Sequence, residues 1–407
     1  MLRRLILVGL VVAFSFGVVG MTQEPVTIQL WHGMSRALGE AIDKLVADFM
    51  AEYPYITVES TYQGGYGDLH SKLDAAVVAG NTPTIAQVYT DWISPVKSIL
   101  YPIGPQLTAE ERADIVEGLL AANTFDGVLT MVPFNKSIMI LYYNKDLVDT
   151  PPATWAEYEQ MAKDLTADLD EDGVIDRYGT AFRPSNPEQF LIFLEQAGGS
   201  ILNEDWTEVT INSAAGLEAL NYINDLVPYS FITNEYMSDH ITEAAMFLDT
   251  SAGYTYNVGA AENAGFELGV ARAPAGPVNG KSMVQGTNLV IYDTDNQTQA
   301  QKDAAILLVK FLLRPENTVY WAIHTGYQPV TKSGYQSQEW IDFVASHPYQ
   351  VAMSEQMLDS FESMPHPSYG DIRSVIMTGW EEVLRGAETP EAALNYMAEE
   401  IEPLLQQ

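Results

Sequence analysis

Apolar and polar positions change period along this chain, and the changes mark out its elements. Val26–Trp31 is a β-branched, apolar run of strand type. Leu38, Ile42, Leu45, Phe49 and Met50 then recur on one helical face, and Pro54 limits that helix. Ile56–Tyr62 predicts a second strand, residues 68–78 a second helix and Ile85–Tyr89 a third strand. Strand, helix, strand, helix, strand is the order of a parallel α/β layer. Further on, Thr108 with Glu111 forms a capping box that predicts a helix through Leu120, and Thr154 with Glu157 repeats the device after Pro151-Pro152. Ile138–Tyr143 reads as a strong strand. Ala304–Leu313 is apolar on nearly every side and predicts a buried helix, stopped at Pro315. Amphipathic helices over 371–384 and 390–405 close the chain.

The N-terminus is patterned differently. Met1–Arg4 is basic, Leu5–Val19 almost wholly apolar, and small residues around Gly17–Gly20 precede a polar stretch. That order predicts a secretory signal peptide over residues 1–20, because the apolar run is short for a membrane span. Export to a periplasm is expected. The chain has no cysteine, so neither an N-terminal lipid nor a disulfide is expected. At 407 residues it exceeds one core and suits two domains of about 150–200 residues each. The net charge of -34, from 54 acids against 20 bases, excludes nucleic acid as a natural partner, since phosphates would be repelled. The acids are scattered along helices, as on the solvated exterior of a monomer. Without internal repeats or a low-complexity linker, two lobes joined by several chain crossings are expected.

Several segments together carry a family resemblance. Tyr142–Asp146 leads through the proline turn to Thr154-Trp155; with it go Trp31–Met34, Thr61–Tyr66, Gly80–Pro83, Gln87–Tyr89, Pro133–Ser137, Thr325–Thr331 and Asp371–Arg373. This set resembles the extracellular solute-binding proteins of ABC importers, in the branch that includes maltose-binding proteins. Within that branch the likeness is strongest to the glycerol-3-phosphate-binding group. The resemblance implies an α/β fold of two lobes, the type II periplasmic-binding-protein architecture, with ligand in the cleft and closure by a hinge. The implied lobes are residues 25–134 with 273–328, and 135–272 with 329–407. Crossings would fall near 132–136, 272–276 and 326–330. The implied role is capture of sn-glycerol 3-phosphate or a glycerophosphodiester for delivery to ABC permease subunits in the membrane. A sugar or oligosaccharide is the competing ligand class.

The resemblance also nominates ligand contacts. Arg373 matches the family's ligand-contacting arginine; its guanidinium would give a phosphate two parallel bonds, provided no carboxylate stands beside it. Tyr66, Ser137, Gly286 and Tyr327 match further contacts, three through hydroxyls and Gly286 through an amide where a side chain would fill the cleft. Two positions depart from the pattern. Thr90, followed by Asp91, stands where the group carries a glutamate for the glycerol hydroxyls, and Thr250, beside Ser251, stands for a serine. A threonine accepts more weakly than a carboxylate, which shifts weight toward a phosphodiester or a sugar. Trp31, Trp92, Trp155, Tyr254 and Tyr256 fall in loops or at element ends, and Trp31 is the ring expected to face the cleft.

Asp168, Asp170, Asp172, Gly173 and Asp176 have the spacing of a calcium loop, with Gly179 in place of the usual bidentate glutamate at position twelve. Structural calcium is the one cofactor the sequence suggests. No G-x-S-x-G, H-E-x-x-H or phosphate-cradling motif occurs, and the six histidines are dispersed. A secreted glycoside hydrolase would need two carboxylates at a set separation, and no pair stands out. The reading is a binding protein, not an enzyme.

Overall fold

The computed structural model describes residues 24–364, 366 and 368–406; the signal segment expected at 1–20 lies outside the described residues. In the first lobe, Val26–His32 pairs in parallel with Ile56–Tyr62 and with Ile85–Val88. Helices Ala37–Glu52 and Tyr66–Ala79 connect these strands, close to the predicted bounds. Alternate strand residues face opposite ways, so Ile28, Leu30 and Ile85 join helices Ala37–Glu52 and Gln299–Leu312 in one core. Ala86 and Val88 meet Leu69 and Leu73 on the other face. Each such aliphatic side chain, fully buried, stabilises the fold by roughly 1.5–3 kcal/mol.

Two long strands continue from this layer into the second lobe. The first half of Met131–Asn144 pairs antiparallel with Ser282–Ile291, and Ser282–Ile291 also pairs with Ile85–Val88. Past the middle, Met131–Asn144 acquires new neighbours, Met246–Thr250 and Leu268–Ala271. Met139 and Leu141 point into the core of Phe190, Phe193 and Trp380, while Ile138, Ile140 and Tyr142 face Phe247, Met353 and Met357. The two lobes thus share strands.

The crossing geometry corrects one boundary. Residues 272–276 do not cross: Ala275 is tied to the second lobe by its amide, which donates to Ala153 O at 2.9 Å, and Ala273 and Met283 lie in that lobe's core. The crossing comes at Gln285–Asn288, where the pairing register shifts in a bulge. Gly286 has φ +117 there, and a Cβ would stand 2.0 Å from Asn135 O. The third segment reaches the same point, since Gln328 N donates to Lys136 O at 2.9 Å. The helix opened by the Thr108 box also differs. It ends at Asp114, because Ile115 and Val116 leave the helix to pair with Thr331 and Val330.

Candidate functional site

Two adjoining cavities of about 590 and 410 Å³ open beside the crossing strands and share Glu188, Gln285 and Arg373 in their walls. The smaller lies between the lobes. Tyr89, Thr90, Asp91 and Trp92 of the first lobe face Glu362, Tyr369 and Arg373 of the second. The larger is walled by Arg183, Asn186, Tyr236, Asp249, Thr250 and Tyr256 among others.

Arg373 sits on helix Tyr369–Leu384, and Glu188 opens helix Glu188–Gln196. Arg373 Nε donates to Glu188 Oε1 at 2.6 Å and Nη2 to Oε2 at 2.9 Å. The carboxylate that the phosphate reading excluded is therefore present, and it takes the side-on Nε/Nη2 edge of the guanidinium. Burial raises the Asp91 carboxyl above its ordinary value, and burial does the same to Asp249, whose Oδ1 accepts from Thr250 N at 2.8 Å. Arg183 stacks on Tyr236, its guanidinium carbon 4.8 Å from the ring centroid. Together the walls carry four carboxylates, Asp91, Glu188, Asp249 and Glu362, against two guanidinia, Arg183 and Arg373, with Lys136 behind Glu362 as a third cation. Tyr236, with Arg183 on one face, and Tyr256 remain 67% and 74% exposed in these walls, much open surface for large rings.

Of the residues nominated from sequence, Thr90, Thr250, Gly286 and Arg373 line the cavities. Ser137 and Ser251 are buried behind them: Ser137 Oγ accepts from Thr250 Oγ1 at 2.9 Å, and Ser251 Oγ accepts from Ile138 N at 3.1 Å. Tyr66 is also one layer back. Its hydroxyl accepts from Asn135 Nδ2 at 3.1 Å, its ring meets Tyr89 edge-on at 5.1 Å, and burial, with Tyr327 and Tyr89 nearby, pushes its ionisation well upward. Tyr327 lies parallel to Trp321 at 6.3 Å and packs on the first lobe's core. Trp31, expected at the cleft, lines neither cavity and packs beside Leu69 and Ala86, because its strand turns that face toward helix Tyr66–Ala79. Among the other rings, Trp92 and Tyr256 reach the cavities, while Trp155 is core and Tyr254 stacks on Tyr349 at 3.9 Å.

Tyr236 and Glu362 escaped sequence reasoning, and so did four further charges. Asp249 and Lys136 are lone charges inside otherwise apolar strands, a signal that was available. Glu188 in a first helical turn has an ordinary dipole explanation, and Arg183 follows a short strand without any mark. Lys136 is fully buried and ion-paired with Glu362 where all three crossing segments meet; its Nζ also donates to Gly286 O at 3.4 Å.

In the acidic loop, one oxygen each from Asp168, Asp170 and Asp176 lie within 4.8 Å of one another, all on exposed residues. Asp172 turns away and accepts from Val174 N at 2.8 Å instead. Gly179 has no room for a longer residue, since a Cβ would meet Ala162 O at 1.9 Å, so the missing twelfth ligand is enforced by packing.

Two lobes on shared strands, with a polar cleft at the crossing, have the form of a solute receptor. The chain belongs to the bacterial extracellular solute-binding protein family, whose model matches residues 44–347. It is 27% identical over 431 residues to the sn-glycerol-3-phosphate-binding periplasmic protein UgpB of Escherichia coli K12, covering 97% of this chain and 95% of that one. Its fold is similar to the cyclic α-maltosyl-1,6-maltose binding protein of Arthrobacter globiformis, with TM-score 0.83, 22% identity and coverage of 94% and 99%. It is also similar to UgpB of Mycobacterium tuberculosis solved with glycerophosphocholine, with TM-score 0.75, 20% identity and coverage of 94% and 99%. The protein is thus the solute-binding component of an ABC importer, works with membrane permease subunits and is not an enzyme. Among the described residues no helix is long and apolar enough to cross a membrane.

Proposed function

We propose that this protein captures a neutral carbohydrate, a sugar or short oligosaccharide, in the periplasm and delivers it to its permease. The observation that carries this is the Glu188 carboxylate on Arg373 in a cleft with more acids than bases. A phosphate at Arg373 would meet a guanidinium already neutralised, with Asp91 close by, and one at Arg183 would meet the Asp249 carboxylate that this arginine already attracts. Sugar hydroxyls suit the same walls, because ionised carboxylates accept pairs of them and the exposed Tyr236 and Tyr256 rings offer faces for pyranose stacking. Hinge closure would bring Tyr89–Trp92 onto the ligand.

Glycerol 3-phosphate or a glycerophosphodiester is the second reading. It is favoured by the name of the Escherichia coli relative and by Arg373 lying in the cleft.

The test is a thermal-shift and calorimetry panel of maltose-type oligosaccharides, monosaccharides, glycerol 3-phosphate and glycerophosphocholine. A true ligand at about 100 times its Kd contributes roughly 2.7 kcal/mol and raises Tm by about 5 °C or more. Tyr236→Ala and Tyr256→Ala should each weaken sugar binding about tenfold, the worth of one stacking contact, and leave the ligand-free Tm unchanged. If the phosphorylated compounds stabilise the protein and sugars do not, the carbohydrate reading is wrong.

A further inference from the structure

We infer that Glu188 sets the charge specificity of the cleft by acting as a built-in anion for Arg373. The inference rests on the carbohydrate reading and names the residue that enforces it. Glu188 is only 6% exposed, yet it lines both cavities, so its charge is held out of water at the junction of the two. Both its oxygens are spent on Arg373, at 2.6 and 2.9 Å. This is the side-on parallel fork that a guanidinium otherwise offers to a phosphate or a ligand carboxylate, and the end-on Nη1/Nη2 edge that remains belongs to a cation whose charge Glu188 already balances.

The position of Glu188 makes the exclusion selective. To take the fork, an anionic ligand must expel Glu188, which would leave a nearly buried carboxylate without its cation. A hydroxyl asks for much less. Among the described residues, no protein acceptor is hydrogen-bonded to Arg373 Nη1, and that edge can donate to a neutral oxygen while the fork stays closed. Asp91 adds negative charge on the facing lobe, so an incoming anion gains no compensation there. Arg373 is thereby a neutral-ligand donor, and its partner 185 positions away decides this.

Glu188→Gln keeps the shape and removes the charge. Binding of maltotriose and of glycerol 3-phosphate is measured by calorimetry on wild type and variant. Glycerol 3-phosphate should bind Glu188→Gln at least tenfold more tightly than wild type, with affinity falling as salt rises, and Glu188→Gln combined with Arg373→Gln should lose the gain. Absence of any gain in a variant with cooperative melting overturns the inference. Should Glu188→Gln fail to fold, Glu188→Asp keeps the charge but shortens the reach, and must show a smaller gain of the same sign; no gain there also overturns it. Wild type preferring glycerol 3-phosphate to every sugar would sink the carbohydrate reading instead, a result readable without any variant.

Discussion

Lys136 is the residue whose replacement should report most directly on how the two lobes are joined. It lies at 0% side-chain exposure, its partner Glu362 at 3%, and all three crossing segments touch it. Burial lowers the lysine and raises the glutamate, each pulled toward its neutral form against the attraction of the other. Lys136→Met fits the same volume but leaves Glu362 alone in a low-dielectric site. Removing one member of a buried pair costs about 3–5 kcal/mol, which lowers the Tm of a domain of roughly 150–250 residues by about 6–20 °C. Asn123 Nδ2, at 3.5 Å, is too distant to compensate. The orphaned carboxyl will have a folded value above its unfolded one. Its contribution is therefore complete below the unfolded value and lost as the pH rises through the folded value, so the gap to wild type should narrow toward acid pH. Calorimetric melting from pH 5 to 8 measures both effects. The double variant Lys136→Met with Glu362→Leu should recover most of the loss, because an apolar pair needs no charge partner. A single variant within about 1 kcal/mol of wild type, or a double variant no better than the single, would refute the argument.

Two further outcomes follow from the same geometry. Gly286→Ala should lose about 1–3 kcal/mol or more, since φ +117 strains any L side chain and the new Cβ meets Asn135 O. Gly67→Ala, with open space around its Cβ, is the matched control in the same melting and ligand-affinity assays. Asp249→Asn should raise Tm at pH 8 by about 2–4 °C: the buried carboxyl has a raised folded value, so its stability is present at acid pH and lost as pH rises. The same substitution should weaken sugar binding about tenfold at pH 7, with the difference shrinking as wild-type Asp249 takes up its proton. Parallel urea and calorimetric titrations across pH would expose either sign as wrong.

Much of the architecture was legible locally. The first three strands, the capping boxes at Thr108 and Thr154 and the terminal helices all followed from period and caps, because each is fixed by neighbours within a few positions. Misreadings came where a distant segment intervened. Val330 and Thr331 stop the Thr108 helix at Asp114, and Ala153 holds residues 272–276 in the second lobe. Trp31 was expected at the ligand because its place at a strand end was visible, whereas the face it presents depends on which helix packs against that strand.

Period and caps therefore decided the α/β elements, and the family resemblance implied two lobes with Arg373, Thr90, Thr250 and Gly286 near one cleft. They did not decide what the cleft would accept. Ionic partners are chosen by proximity in space, and Arg373 meets Glu188 as Lys136 meets Glu362, across 185 and 226 positions that share no local pattern. Only folding brings those charges together, and the free energy of desolvating them, far larger than any local preference, then sets whether the arginine is open to an anion or closed.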